Sequence, residues 1–187
     1  MRVATQSRTS RWGMRFGGAG LAAALAVGVA GSPASAQAGA PSASGVQPIE
    51  ITAEQVPGGN PTFADLEELG FGDFNCAFEP FKVEPVTAGT HNFPSPINGS
   101  VTIELVNTAD GPTFNFRING EFATIGVIVK GGPNANFYDY RPDGIGSDEA
   151  LHAPINPMSG DYYGLSHVDF CVIDSPYNGD NGATANS

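Results

Sequence analysis

From residue 101 onward, apolar side chains recur at every second position. Val101, Ile103 and Leu105 alternate with Thr102 and Glu104, and Phe114, Phe116 and Ile118 alternate with Asn115 and Arg117. A period of two sends successive side chains to opposite faces of a strand, whereas a helix needs a period of 3.6. Both runs read as half-buried antiparallel strands, with residues 107–111 as the turn between them. Asn119-Gly120 is a hairpin turn signal. It leads into residues 123–130, the most apolar strand, through Ile125, Val127 and Val129. Residues 137–140 make a further short strand and residues 165–173 the last one. Short strands with Gly, Pro and Asn between them predict an all-β fold, a small antiparallel β-sandwich or partly open barrel. One short helix precedes the strands. Thr62 caps it with Asp65 three residues on, Phe63, Leu66 and Leu69 share a face, and Gly70 stops it. Residues 141–163 contain Pro142, Gly144, Gly146, Pro154, Pro157 and Gly160, too broken for a helix, and read as a long functional loop.

The start of the chain has a different character. Arg2, Arg8, Arg11 and Arg15 precede an apolar run over residues 16–30, and Ala34-Ser35-Ala36 follows. Positive start, short apolar stretch and small-residue site are the three parts of a secretory signal peptide, predicting cleavage after Ala36. A membrane-spanning helix needs about 20 apolar residues without this many glycines. Gln37 is not the cysteine of a lipoprotein, and no Arg-Arg pair marks the twin-arginine route. The expected organisation is therefore a signal peptide (1–36), a flexible small-residue leader (37–47), a β-domain (48–174) and a polar tail (175–187). The product is expected to be secreted, without a membrane anchor.

Cleavage sharpens the charge. Of 8 basic residues, Lys82, Arg117, Lys130 and Arg141 remain against 19 acidic ones, a net charge of −15 in place of −11. Such a polyanion repels phosphate backbones, which argues against nucleic acid and anionic membranes. Cys76 and Cys171, an even pair in an oxidising compartment, read as a disulfide. It would close a loop of ~95 residues and stabilise by about 4–5 kcal/mol on chain-entropy grounds. A catalytic thiol is the alternative, and it requires a reduced cysteine with a polarising neighbour.

From residue 127 the residues form a recognisable set: Val127-Ile128-Val129-Lys130-Gly131-Gly132-Pro133-Asn134-Ala135-Asn136, Tyr138-Asp139-Tyr140, Leu151-His152-Ala153-Pro154-Ile155-Asn156-Pro157 and Tyr163-Gly164-Leu165-Ser166-His167-Val168-Asp169-Phe170-Cys171. Together with Asn60-Pro61-Thr62 and Phe81-Lys82-Val83-Glu84-Pro85, this resembles an uncharacterised β-module of secreted and surface proteins of bacteria and archaea. The module tends to carry a cysteine directly after Asn-Pro-Thr, where this chain has Phe63 and its upstream cysteine is Cys76. The resemblance implies an extracellular β-domain and supplies no catalytic residues.

Several constellations invite chemistry. Ser166-His167-x-Asp169 suggests a triad, but alternation puts His167 and Asp169 on one face and Ser166 on the other, away from its base. Lys130-Gly131-Gly132 lacks the order of a phosphate cradle and reads as the end of a strand. Asp139, Asp143, Asp148 and Glu149 fall in one Gly-rich stretch, and carboxylate oxygens suit Ca2+, although the spacing fits no EF-hand. Tyr138, Tyr140, His152, Asn156, Tyr162, Tyr163 and His167 surround the long loop and are the candidate ligand-binding residues, able to stack on sugars or anchor a partner. These features point to a non-enzymatic module for adhesion or for binding an extracellular protein or glycan. Two alternatives stand beside it: a small hydrolase using His152, His167 and nearby carboxylates, and a subunit that assembles by adding its leader as a strand to a neighbour.

Overall fold

A computed structural model describes residues 39–175; the expected signal peptide (1–36) and the tail beyond Ser175 lie outside them. Nine strands and one helix follow in order: β1 (Ile49–Ile51), α1 (Phe63–Glu68), β2 (Phe81–Val83), β3 (Gly89–Asn92), β4 (Ser100–Thr108), β5 (Gly111–Asn119), β6 (Phe122–Gly131), β7 (Asn134–Asp139), β8 (Ser147–His152) and β9 (His167–Asp174). They form two antiparallel sheets, β1-β7-β6-β9-β2 and β3-β4-β5-β8. The expected β-sandwich is present and does not close into a barrel.

Alternation explains the first layer of packing. Val101 and Ile103 from β4, Phe114, Phe116 and Ile118 from β5, and Leu151 from β8 meet Val127, Val129, Tyr138, Val168, Phe170 and Val172 across the sandwich. Leu105 continues the alternation in sequence but is 43% exposed beyond the reach of the second sheet.

The five-stranded sheet is covered on its other face as well. There Ile128, Phe137, Ile125 and Cys171 pack against Phe63 and Leu66 of α1 and against Phe74. This second cover is why β6 is buried along nearly its whole length rather than on alternate residues. The helix starts where the sequence indicated, with a complete capping box between Thr62 and Asp65. Gly126 makes its approach possible, since a Cβ there would stand 2.8 Å from the Phe63 ring. The Cys76–Cys171 disulfide, 95 residues apart in sequence, ties this outer layer to β9.

Four features depart from the sequence expectation. Asn119-Gly120 does not join a hairpin: β5 pairs with β4 and β8, while β6 pairs with β7 and β9, so the turn carries the chain from one sheet to the other. Gly120 supplies the left-handed conformation (φ 99°) that the turn signal implied, but β6, apolar on both faces, belongs in the sheet that is covered twice. Residues 141–163 are not one loop, because β8 lies within them. Its alternation is broken by a register shift against β5 and by Ala150 at φ 61°. β1, β2 and β3, with three or four residues each, are too short to register as periodic. Finally, residues 39–47 are packed rather than free: Ser42 is buried, and Ala43 N–H donates to Glu149 O at 2.9 Å.

Candidate functional site

The predicted ligand-binding residues divide between the two faces of the five-stranded sheet. Tyr138, Tyr140 and His152 lie in the sandwich interior, each 7% exposed or less. The Tyr138 hydroxyl accepts from His152 N–H at 3.0 Å, and Tyr140 Oη donates to Asp148 Oδ2 at 2.8 Å. Tyr162 stacks on the His152 ring with centroids 3.8 Å apart. The two His152 ring nitrogens stand 2.8 Å from Ala153 O and 2.9 Å from Ala40 O. These residues do converge, but residues 39–46 of the same chain lie over them. Tyr163 is half-buried against the interior cluster. Asn156 organises a turn, accepting from Met158 N–H at 3.0 Å through Oδ1.

The four carboxylates suggested for calcium do not assemble. Asp139 is held by Arg141 through Nε at 2.8 Å and Nη2 at 2.6 Å, and that guanidinium also covers the Phe74 ring at 4.1 Å. Burial pushes the Asp139 carboxyl up, but the Arg141 guanidinium and backbone N–H outweigh it and leave it below its ordinary range. Asp148 faces Ser44 and Tyr140 instead, and Asp143 and Glu149 are exposed. Among the described residues no group of three or more His, Cys, Asp and Glu side chains is placed to hold a metal ion.

His167 stands apart from His152. Val129 and Val168 face the interior, so their neighbours Lys130 and His167 face outward, and the sheet separates the two histidines. On that outer face a cleft of about 320 Å³ opens between the start of α1 and β2. Asn60, Pro61, Thr62 and Phe63 line one side and Glu79 and Pro80 the other, with Lys82, the largely buried His167 and Asp169 at the base of the space between. Pairing of β2 with β9 sets Lys82 directly opposite Asp169. His167 Nε2 is 3.5 Å from Asp169 Oδ2, and its Nδ1 is 3.9 Å from Glu84 Oε1. Lys82 Nζ bonds Glu84 at 2.8 Å rather than Asp169.

The electrostatics follow from that division. Burial raises Asp169 to about 6, Lys82 lowers it and Glu84 adds to the rise. Burial also lowers His167, assisted by Lys82 and opposed by Glu84. An acid and a base whose ordinary values differ by more than two units are thereby drawn toward each other, in a cleft with apolar walls. Chemically the pair can hold one proton between them and offer it to, or accept it from, a bound group.

The sequence indicated part of this site. His167 and Asp169 were expected on one face of the last strand, and they are. Lys82, Glu84 and Pro80 were not singled out. Lys82-x-Glu84 carries the same-face spacing of a strand, but nothing local reveals that β2 pairs with β9. No family model, no curated protein and no solved structure matches this chain.

Proposed function

We propose that this chain is an exported β-sandwich module for extracellular adhesion or surface binding, glycans included, with the cleft at Lys82, His167 and Asp169 as its contact site. The observation that carries this reading is the make-up of the cleft: apolar walls from Pro61, Phe63 and Pro80 around a few ionisable groups, the composition of a recognition pocket. The lining hydroxyl supports binding over catalysis. Thr62 Oγ1 is committed to the helix cap, donating to Asp65 Oδ2 at 2.6 Å. Glycan-array and cell-surface binding by the cleaved protein test the reading. Lys82→Ala and Asp169→Asn are expected to lower binding at least tenfold. Binding to no surface or glycan, or binding indifferent to both substitutions, overturns it. N-terminal sequencing of the secreted product tests export, with Gln37 as the expected first residue.

A second reading has its own support in the raised carboxyl of Asp169 beside His167, a pairing suited to acid–base hydrolysis. Ester, peptide and glycoside substrates test it. Turnover lost in both Asp169→Asn and His167→Gln would favour the enzyme, and no turnover on any of the three classes would remove it.

A further inference from the structure

Four ionisable side chains form a square on the outer face of the five-stranded sheet. Antiparallel pairing sets Lys82 of β2 opposite Asp169 of β9, and one step further along the same register places Glu84 opposite His167. Residues opposed on neighbouring strands stand about 5 Å apart at Cβ, well within the reach of a lysine. The shortest contacts nevertheless run along the strands and not across them. Lys82 Nζ is 2.8 Å from Glu84 Oε2, and His167 Nε2 is 3.5 Å from Asp169 Oδ2. Across the strands, His167 Nδ1 stands 3.9 Å from Glu84 Oε1.

Burial explains which partner Lys82 takes. The side chains of Lys82 and Glu84 are 45% and 54% exposed, whereas that of Asp169 is 15% exposed. An ammonium bonded to Glu84 stays in contact with water. One that reached Asp169 would give up hydration at the base of the cleft, a cost comparable to the attraction it gains. A surface ion pair contributes little by itself, so Glu84 holds Lys82 because the two partners are nearly balanced. The other groups around Asp169 supply no second cation. Lys130, opposite His167 on β6, bonds the carbonyls of Gly132 and Asn134. The β6 residue opposite Asp169 is Ile128, and Glu79 across the cleft is itself acidic.

We propose that Glu84, which stands outside the lining of the cleft, is its positioning residue: by drawing Lys82 along β2 it keeps the ammonium and the Asp169 carboxylate apart, each open to a bound group. Without Glu84 the two would satisfy each other, and a ligand would have to break that pair before it contacted either. The inference rests on the reading of this cleft as the contact site and adds the residue that keeps it open.

The titration of Asp169, followed by carboxyl-carbon NMR of the full mature protein, tests this without any ligand. Glu84→Gln frees Lys82 and should bring the Asp169 midpoint from about 6 down to about 5 or below. Glu84 also raises Asp169 through its own charge, so the substitution is repeated on a Lys82→Ala background, where only that direct field remains to be removed. A fall there less than half as large supports the proposal. Equal falls in both backgrounds, or no fall in either, overturn it. Glu84→Asp keeps a carboxylate beside Lys82 and should restore most of the high midpoint; a midpoint as low as that of Glu84→Gln counts against the proposal. On the glycan array, Glu84→Gln should weaken binding about threefold to fivefold, the weight of one surface ion pair, and unchanged binding overturns the positioning role. If the parent protein binds nothing, the contact-site reading falls, and the titration still decides whether Glu84 holds Lys82 off Asp169.

Discussion

Asp148 and Asp169 are both aspartates on strands, both largely removed from water, and they behave in opposite ways. Burial pushes each carboxyl upward. At Asp148 the push is outweighed by donors: Ser42, Ser44, the Tyr140 hydroxyl and Glu149 N–H hold the carboxyl below its ordinary range. At Asp169 the nearest partner, His167, stands 3.5 Å away, and Lys82 spends its ammonium on Glu84. Burial therefore wins, and the carboxyl rises to about 6. Hydrogen-bond donors, not depth, decide whether a buried acid is a fastening or a reactive group. One aspartate closes the sandwich edge, and the other faces a cleft.

Removing the fastening should have the largest effect. Asp148→Ala strips the partners from Tyr140 Oη and Ser44 N–H and should cost about 3 kcal/mol in urea unfolding. It should also speed amide exchange in residues 40–46, and stability within 1 kcal/mol of the parent would break the contrast.

Asp169→Asn should act in the opposite direction. The shift from 3.8 to about 6 corresponds to about 3 kcal/mol of destabilisation at pH 8, so the substitution should stabilise by about 1–3 kcal/mol there. The folded protein holds this proton between about pH 4 and 6 while the unfolded chain has released it, so stability falls as pH rises through that window. The variant should lose that slope in melts taken at each pH. His167 has the opposite sign: lowered by burial, it makes stability fall as pH drops below the ordinary imidazole value near 6.5. His167→Gln should remove this smaller contribution. Asp148, whose carboxyl is depressed, keeps its stabilisation above the ordinary carboxylate range and loses it only in stronger acid.

Tyr140→Phe should cost about 1 kcal/mol, one donor among several at Asp148. The smallest effect is expected from chelation. With the Asp139 oxygens on Arg141 and those of Asp148 on Ser44 and Tyr140, melting with and without EDTA should agree within about 1 °C, the scatter of a marginal contribution. A larger drop would favour calcium binding.

The same two aspartates show how far the sequence could be followed. β4, β5 and β9 were legible because alternation is written locally, β6 because it is the most apolar run, although Ile125 packs under α1 while Val127 and Val129 face the sandwich; the capped helix at Thr62 was legible too. That His167 and Asp169 share a face followed from the same rule. The role of Asp148 was not legible, since its donors Ser42 and Ser44 lie over a hundred residues away, in a segment whose small polar composition reads as flexible. The Asn119-Gly120 turn fixes local geometry but does not name the strand that β6 will join. Tyr138, Tyr140 and His152 come together, but composition does not reveal that residues 39–46 lie over them.

The bridge between Cys76 and Cys171 also has a mechanical consequence. If a molecule engaged on a surface is pulled by the two ends of the described chain, everything from 76 to 171 is bypassed by a covalent bond. Of the described residues only 39–75 and 172–175 can pay out, about 140 Å at full stretch. The β-strands from β2 to the middle of β9, and with them His167, Asp169 and Lys82, carry no tension along the backbone. Load would be taken first by the segment on β8, then by β1 and the layer that contains α1. Under traction Lys82, His167 and Asp169 would keep their places, while the wall of the cleft formed by Asn60, Pro61, Thr62 and Phe63 would be drawn away with the chain ahead of Cys76.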